Sequence, residues 1–185
     1  MATVTLRPTR ATAWRALAVV IIAVAALALA ARGAGGAQPP ATSTQSTSWV
    51  LPKLTGTGIV RLADLRGKPV VVDFFASWCT ACRGELTGMA ALSHQLAGRV
   101  TFAGVDSQET GDGVARAKQY GISGWPLASD VGGTEASGLH DALGGRGMPM
   151  TAFYDSSGRL LSTVLGALSE EDLRARIHSL YGIAA

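Results

Sequence analysis

The hydrophobic pattern splits the chain into a membrane-like head and a globular remainder. Ala16–Ala31 (ALAVVIIAVAALALAA) is apolar without interruption; Arg7, Arg10 and Arg15 precede it and Arg32 follows. A basic head before an apolar run is the arrangement of an export signal or signal-anchor. The arginine bias keeps the head in the cytoplasm and sends the remainder across the membrane. As a helix the run would reach about 24 Å, a little short of a ~30 Å hydrocarbon core, with Trp14 at one interface and arginines snorkelling at both ends. Residues 1–32 are therefore read as a cytoplasmic head and retained anchor, placing the domain on the extracytoplasmic side of the cell membrane. Ala28-Leu29-Ala30 or Gly35-Gly36-Ala37 would serve as cleavage sites if the domain were secreted instead. No cysteine directly follows the run, which excludes lipoprotein attachment. Residues 33–48, rich in Gly, Ser, Thr and Pro, read as a flexible linker with nothing to bury.

From Trp49 onward the pattern becomes that of a folded domain, residues 49–185. Gly58–Leu62 is a short edge strand and Leu65–Pro69 a turn. Val70–Phe75 (VVVDFF) is a continuous apolar run broken only by Asp73, the mark of a central strand buried on both faces. From Thr80 to about Leu96, Leu86, Met89, Ala90 and Leu92 recur at helical spacing, and Gly98 closes the segment. Val100–Val105 is a second buried strand; Val114–Tyr120 and Ala136–Leu143 are short helices. Thr151–Tyr154 and Leu160–Leu165 flank Asp155-Ser156-Ser157-Gly158, a hairpin turn. Ser169-Glu170-Glu171-Asp172 caps a last helix that ends at Gly182. The order strand, helix, strand, helix, hairpin, helix predicts an α/β domain, a central mixed sheet with helices on both faces.

Composition sharpens this in two ways. The 185 residues are 48% hydrophobic and 16% charged, which excludes a disordered chain. The net charge of +3 suggests a nucleic-acid or membrane partner until the charges are located. Residues 1–40 hold four of the 16 basic residues and no acid, leaving 12 basic against 13 acidic residues in the remainder. That remainder has no basic patch, so no nucleic-acid partner is expected.

The two cysteines stand together in Trp78-Cys79-Thr80-Ala81-Cys82, directly after the central strand and at the start of the helix. This spacing lets two thiols close a disulfide, and the unpaired N–H groups of the helix start favour the thiolate of the first. Cys79 is then the nucleophile and Cys82 the resolving thiol of disulfide exchange. A purely structural disulfide would constrain little chain. Zinc would need two more ligands, and His94, His140 and His178 lack H-x₃₋₅-H spacing. No metal and no cofactor are expected. Asp73 is costly inside a buried strand, and desolvation should raise its pKa; it would serve as general base toward Cys82. Trp78 shields the thiol pair.

Phe74-Phe75-Ala76-Ser77-Trp78-Cys79 followed by Cys82-Arg83-Gly84-Glu85 resembles the active site of the TlpA/ResA/DsbE group of membrane-anchored, thioredoxin-like proteins. Leu62–Lys68 matches the group's Leu-x-x-Leu-x-Gly-Lys lead-in, and Gly147-Met148-Pro149 with Thr151–Asp155 and Gly158 matches its later segment. The resemblance implies a thioredoxin fold with a helical insertion at about residues 107–145. It implies that Pro149 follows a cis peptide bond and faces the cysteines, leaving Met148 to pair with an extended substrate segment, as Trp78 flanks it. It implies that Glu85 assists proton movement, and Asp73 matches the buried aspartate of thioredoxin itself, where the group more often has asparagine. Ala81 and Thr87 stand where relatives usually have proline.

The activity implied is extracytoplasmic thiol–disulfide exchange, chiefly reduction of disulfides in exported proteins, apocytochrome c among them. Electrons would come from a membrane donor of the CcdA or DsbD kind. The alternative is a DsbE/DsbA-like oxidase that forms disulfides in secreted proteins. A thiol peroxidase shares the fold but needs Pro-x₃-Thr/Ser-x₂-Cys, where this chain has Val72 and Ala76; a copper-delivery module would use C-x₃-C.

Overall fold

A computed structural model describes residues 47–131 and 138–184. The expected anchor (1–32), and the expected linker up to residue 46, lie outside the described residues. Among the described residues no helix is long and apolar enough to cross a membrane. The elements run β1 (Val50–Pro52), β2 (Ile59–Arg61), a 3-10 turn (Leu62–Leu65), β3 (Val70–Phe75), α1 (Thr80–Gln95), β4 (Thr101–Ser107), α2 (Gly113–Gln119), β5 (Leu127–Asp130), α3 (Leu139–Ala142), β6 (Met150–Tyr154), β7 (Leu160–Leu165) and α4 (Glu170–Tyr181).

The Val70–Phe75 run becomes the middle of the sheet. The five-stranded order is β5-β4-β3-β6-β7. β3 runs parallel to β4 and antiparallel to β6, and β5 and β7 pair with β4 and β6 on the outside. All six residues of β3 are buried. Alternation then divides them between two cores. Val71 and Phe75 face Leu86, Met89 and Leu92 of α1, with Leu173 and Ile177 of α4 and Ala117 of α2 in the same cluster. Val70, Val72 and Phe74 face the opposite way, toward Leu51, Val60 and Leu62 of the leading segment and Leu139 of α3. Each large apolar side chain so buried stabilises the fold by about 1.5–3 kcal/mol.

The helix ends follow local chemistry. Cys79 caps α1, with its sulfur accepting from the Cys82 N–H. Thr87, expected to depart from the relatives' proline, turns its hydroxyl back onto the Arg83 carbonyl at 2.8 Å, and α1 runs through unbroken. Ser169 caps α4 through the Asp172 N–H, three acids occupy its first turn, and Gly182 ends it at φ 68°.

Two strands were not anticipated. β1 has only three residues, one of them proline; it pairs with β2 and also reaches β5 through a bridge between Lys53 and Ala128, with Leu54 N–H donating to Leu127 O at 2.9 Å. β5 (LASD) lacks a clean alternation and forms by parallel pairing with β4. Residues 107–145, expected as a helical insertion, hold α2, β5 and α3.

Gly145 is required by packing. A Cβ there would meet the ring of His140 at 2.3–2.5 Å. That ring is fully buried, edge-on to Phe74 at 5.7 Å, with Nε2 3.2 Å from the Gly147 carbonyl just ahead of Met148 and Pro149. Gly145→Ala should cost about 1–3 kcal/mol, read as a lower urea midpoint at unchanged slope.

Candidate functional site

The turn from β3 into α1 presents the two cysteines as a disulfide, with S–S 1.98 Å and Cα atoms 5.4 Å apart. Their surroundings differ. Cys79, at the cap position, is 4% exposed, and its sulfur accepts from the Cys82 N–H at 3.1 Å. Cys82, one turn inside the helix, is fully buried. The first sulfur is thus the reachable one and the one beside free helix-start amides, which stabilise a thiolate.

Around the pair lie the other residues singled out in the sequence. Trp78 is 48% exposed, and its indole N–H donates to the Gln108 carbonyl at 2.8 Å. It therefore forms a fixed, apolar lip beside the disulfide. The Met148–Pro149 peptide bond is cis. Pro149 is buried, its carbonyl accepting from the Gly166 N–H at 2.9 Å, while Met148 packs partly buried against both cores.

Asp73 is fully buried, in register with Thr151 on β6, and alternation turns it to the same face as Val71 and Phe75, the face that α1 covers with Cys82 and Leu86. Glu85, three residues after Cys82, is buried at 5% exposure and accepts from the Leu168 N–H at 2.9 Å. Between the two acids stands Thr151, whose Oγ1 lies 3.4 Å from Asp73 Oδ2 and 3.3 Å from Glu85 Oε1. A hydroxyl has one proton to donate. Both contacts are satisfied together when one of the two carboxyl groups is protonated and donates to Oγ1 in turn. Burial, then the neighbouring charge of Glu85, pushes Asp73 well above the usual carboxylate range, against the Thr151 bond. Burial pushes Glu85 up to about 7, opposed by Leu168 and Thr151. Joined through one hydroxyl, the two titrate as a pair. Asp73 Oδ1 and Glu85 Oε2 have no hydrogen-bond partner among the described residues.

Sequence reasoning missed three groups here. Thr151 is the strand neighbour of Asp73, a pairing visible only once β6 is placed beside β3. Asp106, the last-but-one residue of β4, is also buried and was findable by the same rule, a charge inside an apolar strand. Glu109 follows it in the next loop and accepts from the Ser77 N–H at 2.6 Å.

These raised carboxyls reverse the usual dependence of stability on pH. Asp73, Glu85 and Asp106, the last pushed up to about 8 chiefly by burial, hold protons in the fold that the unfolded chain releases near its ordinary values of 3.8 and 4.5. Their stabilisation is complete below those values and is lost as pH rises through the folded ones. Asp155, held at about 2 by Ser157 foremost, acts oppositely, its contribution lost between 3.8 and 2. The urea midpoint should therefore fall between about pH 5 and about pH 9, and Asp73→Asn should flatten that fall.

Comparison with known proteins agrees with this geometry. Residues 43–162 match the family model described as the AhpC/TSA family. The chain is 30% identical over 132 residues to the thiol:disulfide interchange protein DsbE of Pseudomonas fluorescens biotype C, covering 71% of this chain and 70% of that one. It is 26% identical to the thiol-disulfide oxidoreductase ResA of Bacillus thuringiensis (strain Al Hakam), over 74% and 76% of the two chains. Among solved structures, a secreted Mycobacterium tuberculosis disulfide oxidoreductase homologous to DsbE of E. coli superposes with TM-score 0.61 at 22% identity, over 75% of this chain and 99% of that one, a likeness of fold. A sheet of thioredoxin topology, a C-x₂-C disulfide at the start of α1 and these matches place the chain in the AhpC/TSA family, among the thiol–disulfide oxidoreductases of the DsbE/ResA type.

Proposed function

We propose that the protein reduces disulfides in exported proteins at the extracytoplasmic face of the cell membrane, held there by residues 1–32, and that apocytochrome c is among its clients. The observation that carries the assignment of roles is the unequal burial of the two sulfurs above a buried acid pair. In the reduced protein the Cys79 thiolate attacks one sulfur of the client disulfide. That bond breaks, a mixed disulfide forms, and the departing client sulfur takes a proton. Asp73 then accepts the Cys82 proton, and the Cys82 sulfur attacks Cys79. The second client thiol leaves, and Cys79–Cys82 is left oxidised: two electrons have passed to the client. Thr151 and Glu85 carry the proton onward from Asp73. Trp78, the neighbour of Cys79, and Met148 hold the client segment, with Met148 backbone groups pairing to it beside Pro149. A membrane donor of the CcdA or DsbD kind restores the dithiol.

The reading is tested by equilibrating the protein with glutathione buffers. A potential near that of thioredoxin, about −270 mV, supports reduction, and one at or above about −150 mV replaces it with the oxidase reading. Peroxidase chemistry has less to stand on, since Val72 and Ala76 occupy the positions where that motif needs proline and a hydroxyl.

A further inference from the structure

A second acidic pair, Asp106 and Glu109, has no part in the exchange steps above, yet Glu109 holds Ser77, two residues before Cys79. Glu109 sits in the loop after β4, and its carboxylate gathers donors from two segments. It accepts from Thr110 N–H at 2.7 Å, Gly111 N–H at 2.5 Å and, across 32 positions of sequence, from the N–H and hydroxyl of Ser77. The residue before it, Gln108, is held at φ 54°, in the left-handed region that costs a residue with a Cβ, and in that pose its carbonyl meets the Trp78 indole N–H. The loop thus grips both residues that lead into Cys79.

Beneath it lies Asp106, 2% exposed, with Oδ1 unpartnered among the described residues. Its bed is made by glycine: a Cβ on Gly113 would fall 2.0 Å from Asp106 Oδ2. The Asp106 and Glu109 carboxyl groups are neighbours, each shifting the ionisation of the other. Two carboxyl groups in that relation need one proton between them.

We propose that Asp106 and Glu109 are positioning residues for the exchange reaction: a proton held on Asp106 lets the Glu109 carboxylate clasp the Ser77-Trp78 lip beside Cys79, and loss of that proton opens the clasp. The inference rests on Cys79 as the attacking thiol. The groups facing Asp106 that carry charge are Glu109 and Asp112, the cap of α2; its strand neighbours Phe75 and Ser129 carry none, and Asp130 meets His140 on the opposite face of the sheet. Burial first, then the neighbouring Glu109 and the charge of Asp112, pushes Asp106 up to about 8. Partial burial works against ionisation of Glu109, but the Ser77 bonds outweigh it and hold that carboxyl below its ordinary value. The proton therefore stays on Asp106 and the charge on Glu109 until the solution becomes mildly alkaline. Beyond that point two carboxylates are in contact, and the exposed one withdraws into water, taking Ser77 and Trp78 out of place. Small displacements of a reacting group lower rate steeply, so the device sets an upper pH for fast exchange.

The experiment follows the Ser77 amide and Trp78 indole N–H resonances in ¹⁵N-labelled, oxidised full-length protein from about pH 6 to about pH 10, the indole assigned by its loss in Trp78→Phe. Oxidised protein has no titrating thiol. Both resonances should move together with a midpoint near 8. Asp106→Asn, whose amide donates to Glu109 at every pH, should remove the transition; Glu109→Ala should leave both resonances at their high-pH positions throughout. A flat wild-type profile, or an Asp106→Asn protein that titrates as wild type does, overturns the proposal. Should Asp106→Asn fail to fold, the wild-type and Glu109→Ala profiles decide alone. In exchange assays the ratio of Asp106→Asn to wild-type rate should rise several-fold from about pH 7 to about pH 9, and a constant ratio overturns the positioning role. Failure of the Cys79 reading would look different: the wild-type resonances would titrate as described while Cys79→Ser kept its activity.

Discussion

Cys79→Ser should lose thiol–disulfide exchange by at least about a thousand-fold, since it removes the more exposed of the two cysteine sulfurs and leaves a hydroxyl of far higher pKa. Insulin precipitation or the refolding of a scrambled ribonuclease reads this directly. Cys82→Ser should behave in the opposite manner in one respect. Attack by Cys79 still occurs, but no internal sulfur releases the client, so covalent mixed disulfides accumulate and survive non-reducing electrophoresis. The difference follows from position: Cys79 caps α1 at 4% exposure, and Cys82 is fully buried one turn further in. Equal activity of Cys79→Ser and wild type would end the mechanism. Proteins trapped by Cys82→Ser in the native cell would identify the partners of the exchange.

The second large effect concerns release of the client. Asp73→Asn should slow resolution of the mixed disulfide by roughly a hundred-fold, because the base that takes the Cys82 proton has gone. Acid quenching and mass spectrometry measure the lifetime of that intermediate. In the wild type the resolution rate should climb as pH rises through the titration of the Asp73–Glu85 pair, since only ionised Asp73 accepts a proton. In Asp73→Asn that climb should vanish, leaving the dependence of the thiol itself. Glu85→Gln has a predictable sign. The charge of Glu85 raises Asp73, so its removal should lower the Asp73 pKa and move the climb to lower pH. A rate of resolution in Asp73→Asn that matches wild type at every pH would remove Asp73 from the mechanism and leave the proton to water.

The elements that positioned the cysteines were legible because each announces itself locally. VVVDFF is apolar but for Asp73, and so reads as a strand with both faces covered; Leu86, Met89 and Leu92 follow a helical period; Asp155–Gly158 is turn chemistry between two apolar runs. Asp73 could be singled out for the same reason, a charge in a place where charge is expensive. β1 and β5 were illegible because they exist through their partners. Three residues containing Pro52, and four reading Leu-Ala-Ser-Asp, have no intrinsic preference for strand strong enough to show in sequence. The loop that grips Ser77 was invisible for a further reason. Its conformation depends on Gln108 in the left-handed region, where composition points to glycine or asparagine, and its contacts span some thirty residues. Thr151 carries an ordinary strand residue's signature and becomes interesting only by standing between two acids.

The way the leading segment closes on the sheet bears on how the molecule keeps to itself. A five-stranded open sheet has two rows of unsatisfied backbone groups, and each is a template on which another chain can add a strand. Here the row beyond β5 is met from within: Lys53 bridges Ala128, and Leu54 donates to Leu127. Covering that border with β1 and the residues after it leaves one row fewer on which another chain can add a strand. The short β1–β2 hairpin thus guards this border of the sheet against edge-to-edge pairing.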